Sequence, residues 1–205
     1  AISNQFANQK PINKFTHMKQ LITIVLFFIT ANLLAQKPCD YSVNVNDSIG
    51  TYKSTREYIV HEKIFGGNSN YIFYSLASTD GMPTLNVQLL QKSKDFLKAN
   101  CFDKNSKLIL QLNNGTIITM LHIDQENCGT MIRDDKGFDN RVNTGNFMFM
   151  KGSIEELKKS PVSMMRIQYL TGTEDYILRR ELKSELDNKT YHPENFFIDN
   201  LHCIE

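Results

Sequence analysis

The chain has 205 residues, of which 23 are lysine or arginine and 22 are aspartate or glutamate, giving a formal net charge of +1. A nucleic-acid-binding protein needs a concentrated basic surface to displace counterions, so this balance of mixed charges argues against that class. The length suffices for one domain with a hydrophobic core, and no repeat or low-complexity tract divides it.

The segment 18–35 has the three parts of a secretory signal peptide. Met18 and Lys19 precede an apolar run over 21–29, and the small residue Ala35 closes the segment. The apolar stretch is shorter than the roughly 20 residues that span a bilayer. We therefore favour a cleaved signal peptide over an uncleaved anchor, and we predict no membrane span after cleavage behind Ala35.

Residues 1–17 are polar, contain no acidic residue and precede this leader. We interpret them as an upstream extension outside the native fold, with Met18 as the initiator. The residues before Cys39 do not form a lipid-attachment box, so the mature chain over 36–205 is expected in the periplasm or outside the cell.

The first part of the mature chain reads as strands separated by turns. Residues 71–76 are aromatic and β-rich, and residues 80–83 (Asp-Gly-Met-Pro) form a turn signal. Residues 85–89 alternate apolar and polar positions, as a half-buried strand does. Residues 93–100 fit either an edge strand or one helical turn.

The segment 107–121 predicts a β-hairpin, because β-rich runs flank Asn113-Asn114-Gly115 on both sides. An Asn-Gly pair tolerates the positive φ angles of a type I′ turn. We therefore predict a two-residue turn at Asn114 and Gly115, with Asn113 opposite Thr116.

The second half adds two short helices to the strands. Residues 124–145 read as a polar loop. Ser153 and Glu156 match a capping box, which predicts a helix over about 153–160 that ends before Pro161. The tail after Pro193 has the apolar spacing of a second helix. Strands are predicted at 146–150, 162–169 and 176–180.

Many short strands with few helices predict a mainly-β fold, an antiparallel sandwich-like domain over 36–205. Crossover connections of ten or more residues, which parallel pairing requires, are nearly absent.

Two stretches, KLILQLNNGTIITML at 107–121 and IEELKKSPVSMMRI at 154–167, resemble uncharacterised secreted β-rich proteins of Gram-negative bacteria. The resemblance covers about a quarter of the mature chain and consists mostly of hydrophobic alternation. It implies export and a β fold, and it implies no activity.

His122 and Asp124 are the candidate catalytic residues. Positions i and i+2 of a strand share a face, so the imidazole and the carboxylate are expected side by side at the end of the hairpin. The pair could be a base with its orienting acid, or two metal ligands. We favour a strand-end histidine in a surface hydrogen bond, because no nucleophile elbow lies nearby.

The loop 133–141 offers the oxygen ligands that calcium prefers, in the carboxylates of Asp134, Asp135 and Asp139. The alternating spacing of a calcium-binding loop is absent, and neighbouring cations neutralise the acids. We favour a solvated polar loop over a metal site.

The segment His61-Glu62-Lys63-Ile64-Phe65 is half of a zinc-protease motif. Phe65 stands where the second histidine should be, and the segment reads as a strand. The two ligands would therefore not share a helix face, and we predict no metal site there.

The four cysteines predict two disulfides, since an exported protein occupies an oxidising compartment. If the hairpin register continues outward from Asn113 and Thr116, Cys101 and Cys128 stand opposite each other within disulfide reach. Cys39 would then bond Cys203 by elimination.

The sequence thus predicts an exported, non-catalytic β-rich protein that binds an unknown ligand or partner, or has a structural role, at the cell envelope. The alternative is a secreted hydrolase or metal-dependent enzyme with a site near His122, Asp124 and the 133–141 loop. No cofactor is predicted.

Overall fold

A computed structural model describes residues 37–205, so the predictions made for 1–17 and 18–35 lie outside the described residues. Its strands are β1 (Tyr41–Asn46), β2 (Thr51–Thr55), β3 (Tyr58–Phe65), β4 (Asn68–Thr79), β5 (Met82–Ser93), β6 (Lys107–Leu112), β7 (Ile117–His122), β8 (Thr130–Arg133), β9 (Asp139–Met148), β10 (Val162–Tyr169), β11 (Gly172–Ile177), β12 (Leu182–Lys183) and β13 (Thr190–Tyr191). Its helices are α1 (Ser153–Leu157), α2 (Phe196–Asn200) and two 3-10 helices, Pro193–Asn195 and Leu201–Ile204. Within 37–205, no helix is long and apolar enough to cross a membrane.

One antiparallel sheet contains eleven of these strands, in the order β1-β2-β4-β5-β9-β7-β6-β10-β11. β3 pairs with the first half of β4, while β2 pairs with its last residues. β8 likewise pairs with the start of β9, while β7 pairs with its end. The predicted mainly-β, antiparallel, sandwich-like fold is confirmed.

The sheet folds over so that β3–β5 face β10 and β11 across a hydrophobic core. The Tyr74 hydroxyl on β4 donates to Met165 Sδ on β10 at 2.6 Å. The rings of Phe196 and Phe197 on α2 pack against the Tyr74 ring, so the C-terminal helix closes one side of the core. The middle of β4 is buried on both faces, because Tyr71 and Phe73 pack into a second, smaller cluster. This explains the run over 71–77, in which Ser75 is the one residue that is not apolar or aromatic.

The β6–β7 hairpin is confirmed, but its predicted register is wrong by one residue. Lys107 pairs with Leu121 and Gln111 pairs with Ile117. The turn contains three residues, closed by the Gly115 amide donating to the Leu112 carbonyl at 3.0 Å. Gly115 has φ 88°, the left-handed conformation that ends this type of three-residue loop.

The segment 124–145 is not one polar loop, because it contains β8 and most of β9. Every residue of β8 is exposed, and within 37–205 β8 pairs only with β9, so it is an edge strand. Without a buried face it lacks the apolar alternation that reveals a strand.

Helix α1 begins at Ser153 as predicted but ends at Leu157, and the predicted capping box is wrong. Gly152 is the N-cap, at φ 82°, and no side chain in the described part of the chain caps the helix. The Ser153 amide instead donates to the Met150 carbonyl at 3.0 Å, within the turn that leads into the helix.

Both predicted disulfides are present. Cys39 bonds Cys203, with 5.6 Å between the Cα atoms, and Cys101 bonds Cys128, with 4.0 Å. The first ties the start of the domain to its last helical turn, where the Tyr41 hydroxyl also donates to the Cys203 carbonyl at 2.7 Å.

Candidate functional site

A cleft of about 430 Å³ lies between the two layers, where the inner face of β3–β5 meets Tyr169 on β10 and residues 174–176 of β11. Its volume falls in the range of small-molecule sites in proteins. Its walls combine core side chains with polar ones.

Two consecutive cross-strand rows form one wall of this cleft. The inner row places His61 opposite Ile72 and Ile72 opposite Leu89. Ile72 and Leu89 belong to the hydrophobic core, so this row forms the apolar floor of the cleft.

The outer row, two residues further along each strand, places Lys63 opposite Asn70 and Asn70 opposite Gln91. Directly paired residues point to the same side of a sheet, so an ammonium and two amides stand together above the floor. None of the three side chains takes part in a hydrogen bond or ion pair with another residue of the described range 37–205. We call Lys63, Asn70 and Gln91 the donor row.

The opposite wall is a hydrogen-bonded chain of polar side chains. Asn100 Nδ2 donates to Glu174 Oε1 at 3.1 Å, and the Tyr176 hydroxyl donates to Glu174 Oε2. The Tyr169 and Tyr176 hydroxyls are 3.2 Å apart. Burial raises the pKa of both tyrosines above the usual range, so both hydroxyls stay protonated.

His61 joins the two walls through its ring. The centroids of the His61 and Tyr176 rings are 5.0 Å apart, with the rings edge to face. Burial lowers the pKa of His61 below its usual value, and the positive charges of Arg179 and Lys63 lower it further. The imidazole is therefore neutral at neutral pH.

His122 lies in the core, so the predicted surface position is wrong. Its side chain is fully buried and stacks on Phe102, with ring centroids 5.4 Å apart. Nδ1 is 2.9 Å from the Asp103 carbonyl oxygen, which can only accept, so Nδ1 carries the proton. Nε2 has no hydrogen-bond partner in the described part of the chain.

The structure brings Asp124 near His122 without a hydrogen bond between them. The Asp124 Oδ2 atom is 3.8 Å from His122 Nε2. The same oxygen accepts from the Asn146 amide at 3.1 Å and from its side-chain nitrogen at 2.6 Å. Asp124 also lines an open cavity of about 380 Å³, whose lining does not include His122. A substrate in that cavity would not contact the imidazole.

The 133–141 segment is the tip of the β8–β9 hairpin, and two of its three carboxylates, those of Asp134 and Asp139, already have partners. Asp134 accepts from Lys92 Nζ at 2.7 Å and from the Phe138 amide at 2.9 Å. These bonds hold the pKa of Asp134 well below its usual range. The Asp139 Oδ1 atom lies 3.8 Å from Arg133 Nη1. Among the described residues, the carboxylates of Asp134, Asp135 and Asp139 do not converge on a point where they could bind one metal ion.

The sequence reasoning missed the cleft altogether. Lys63, Asn70 and Gln91 lie on three different strands, and only the register brings them together. The sequence did offer one signal. Each of the three residues lies two positions from a residue of the cleft floor on the same strand, as Asn70 lies two positions before Ile72, and residues two apart on a strand share a face.

The chain matches no protein family model, and no curated protein or solved structure is significantly similar to it.

Proposed function

We propose that this chain is an exported, non-catalytic binding module of the cell envelope, with the cleft between the layers as its ligand site. The cleft carries the proposal, because it combines an apolar floor with polar groups that have no partner within the described residues. Sites for small molecules typically join apolar walls to a few convergent polar groups.

The two disulfides support export, because such bonds persist in oxidising compartments and are rare in the cytosol. The enzyme alternative centred on His122 and Asp124 has weaker support. A catalytic base must come within hydrogen-bond reach of its substrate, and His122 Nε2 is enclosed by the core.

The test is a retention experiment with small-molecule extract from the cell envelope of the producing organism. The protein is dialysed against the extract, washed and denatured, and the released compounds are identified by mass spectrometry. We expect a compound that is retained and released with its mass unchanged. A compound that is consumed while a new product appears would favour the enzyme.

The matched control places the same new side chain inside and outside the cleft. Asn70→Trp should fill the cleft and abolish retention, whereas Thr130→Trp on the exposed strand β8 should leave retention intact. Circular dichroism verifies that both variants fold. Retention that survives in a folded Asn70→Trp protein would place the ligand elsewhere and contradict the proposal.

A further inference from the structure

We infer that the cleft accepts an amphipathic organic anion, whose charged head lies on the donor row and whose apolar body lies on the floor. This inference rests on the proposed function and adds the chemical class of the ligand.

The donor row provides the recognition of the head. The Lys63 ammonium carries a full positive charge, and the Asn70 and Gln91 amides each present two N–H donors from the same side of the sheet. Hydrogen bonds from a charged donor to a carboxylate are stronger than those between neutral groups. Because these three side chains have no partner among residues 37–205, a ligand can use them without displacing an internal bond.

The carboxylates near the cleft already accept hydrogen bonds from other side chains, neutral ones at Glu174 and a guanidinium at Asp175. Glu174 accepts from Asn100 and Tyr176, and Asp175 accepts from Arg166 Nε at 2.6 Å and from Arg166 Nη2 at 2.7 Å. A cationic head would therefore compete with these donors, whereas an anionic head meets a free ammonium.

The body of the ligand is selected by the floor and by the rings. Ile72 and Leu89 present aliphatic surface, and Tyr169 and Tyr176 present ring faces and edges. The floor borders the donor row directly, because on each of the three strands the residue of the floor and the residue of the donor row are two positions apart. A carboxylate with a short alkyl chain matches this order of polar and apolar surface.

Three probes with one tail and different heads test the inference: octanoate, 1-octanol and octylammonium. Binding is followed by the amide chemical shifts of Ile72, Leu89 and Tyr176 in heteronuclear NMR spectra of the full domain. We expect octanoate to bind most tightly, and we expect only its affinity to fall when salt screens the charges. Octanol binding as tightly as octanoate, or octylammonium binding best, overturns the anion while leaving the cleft as a binding site.

The paired variants are Lys63→Met and Lys151→Met. Lys151 is an exposed lysine in the turn that precedes α1, outside the cleft. Loss of a charged hydrogen bond should weaken octanoate about tenfold in Lys63→Met. Octanol should bind both variants equally. Octanoate that binds Lys63→Met and Lys151→Met alike, or that shifts none of the cleft resonances, also overturns the inference. The retention experiment then decides the proposed function independently.

Discussion

His122 fills a core position in which its two ring nitrogens meet different surroundings. Nδ1 donates to the Asp103 carbonyl, and the ring packs between Phe102 and Phe147. The contribution of this residue is therefore one of packing and hydrogen bonding, and it can be measured as stability.

We expect His122→Ala to lower the free energy of unfolding by about 2–4 kcal/mol. The change leaves a cavity beside two aromatic rings and removes the hydrogen bond to a buried carbonyl. Urea denaturation measures the loss. Ile117→Ala, at an exposed position on the same strand, is the control and should stay within about 0.5 kcal/mol. Equal stability of the two variants would show that His122 is not a core residue.

Asp134 makes the stability of the β8–β9 tip depend on pH. Its pKa is held below the usual range by the hydrogen bond from Lys92 and by the Phe138 amide. A carboxyl whose pKa is lowered by folding stabilises the native state above its unfolded pKa of about 3.9. That stabilisation is lost as the pH falls through the lower, folded value.

We therefore expect wild type to be more stable than Asp134→Asn at pH 7, with the difference shrinking below about pH 4. Urea denaturation of both proteins between pH 7 and pH 2 gives the two curves. Asp135→Asn, at an exposed neighbour, is the control and should parallel wild type. A difference between wild type and Asp134→Asn that is constant with pH would contradict the role given to this carboxylate.

At the scale of elements, strand β9 requires a residue without a side chain at position 145. A Cβ at Gly145 would lie 2.9 Å from one carbon of the Phe102 ring and 3.1 Å from a carbon of the Phe147 ring. The glycine thus leaves the space in which these two rings meet edge to face, 5.6 Å apart.

Gly145→Ala should destabilise the protein by about 1–3 kcal/mol, because rings in a packed core cannot move aside without strain. Thermal unfolding monitored by near-ultraviolet circular dichroism measures the change. Thr144→Val, at the neighbouring position on the other face of β9, should have almost no effect. A Gly145→Ala protein as stable as wild type would mean that the rings repack freely.

Strands with one buried face could be predicted from the sequence, and the fully exposed edge strand β8 could not. The alternation at 85–89 marks β5, and the Asp80-Gly81 turn joins β4 to β5, with both residues at positive φ. β8 is exposed along its whole length, and its sequence, Thr-Met-Ile-Arg, carries no such pattern. β1 does alternate, with Tyr41, Val43 and Val45 separated by polar residues, although nearly all of it is exposed. Register also depends on loop geometry, which the sequence leaves open.

The disulfide between Cys101 and Cys128 was predicted correctly because two one-residue deviations cancel. The three-residue turn at Gly115 shifts the β6–β7 register by one. Further out, the five residues 122–126 face only the four residues 103–106, and this extra residue shifts the register back, so that Phe102 pairs with Asn127 as the two-residue turn would have required. The donor row gave no comparable signal, because its residues meet only through the pairing of β3, β4 and β5.

At the scale of the whole molecule, the two disulfides differ in the length of chain that they close. Cys101 and Cys128 are 27 residues apart, whereas Cys39 and Cys203 are 164 apart. In the chain-entropy model, the two bonds stabilise the native state by about 3.5 and 5 kcal/mol, because each restricts the conformations of the unfolded chain.

Replacing both members of a pair by serine should therefore cost more stability for Cys39 and Cys203 than for Cys101 and Cys128. Guanidinium denaturation of the two double variants gives the comparison. A larger loss for the short loop would mean that native contacts, rather than the length of the loop, set the contribution of each bridge.

The Cys39–Cys203 bond also determines how the domain responds to tension. When both ends are pulled apart, the load passes from residue 39 to residue 203 through the sulfur atoms, and the 164-residue loop behind them carries none. A force-extension trace of the oxidised protein should show no unfolding step. With a thiol reductant, a step of about 590 Å should appear, at roughly 3.6 Å per residue for the released chain. The oxidised domain is thus an inextensible link, and the reduced domain is a stretchable one.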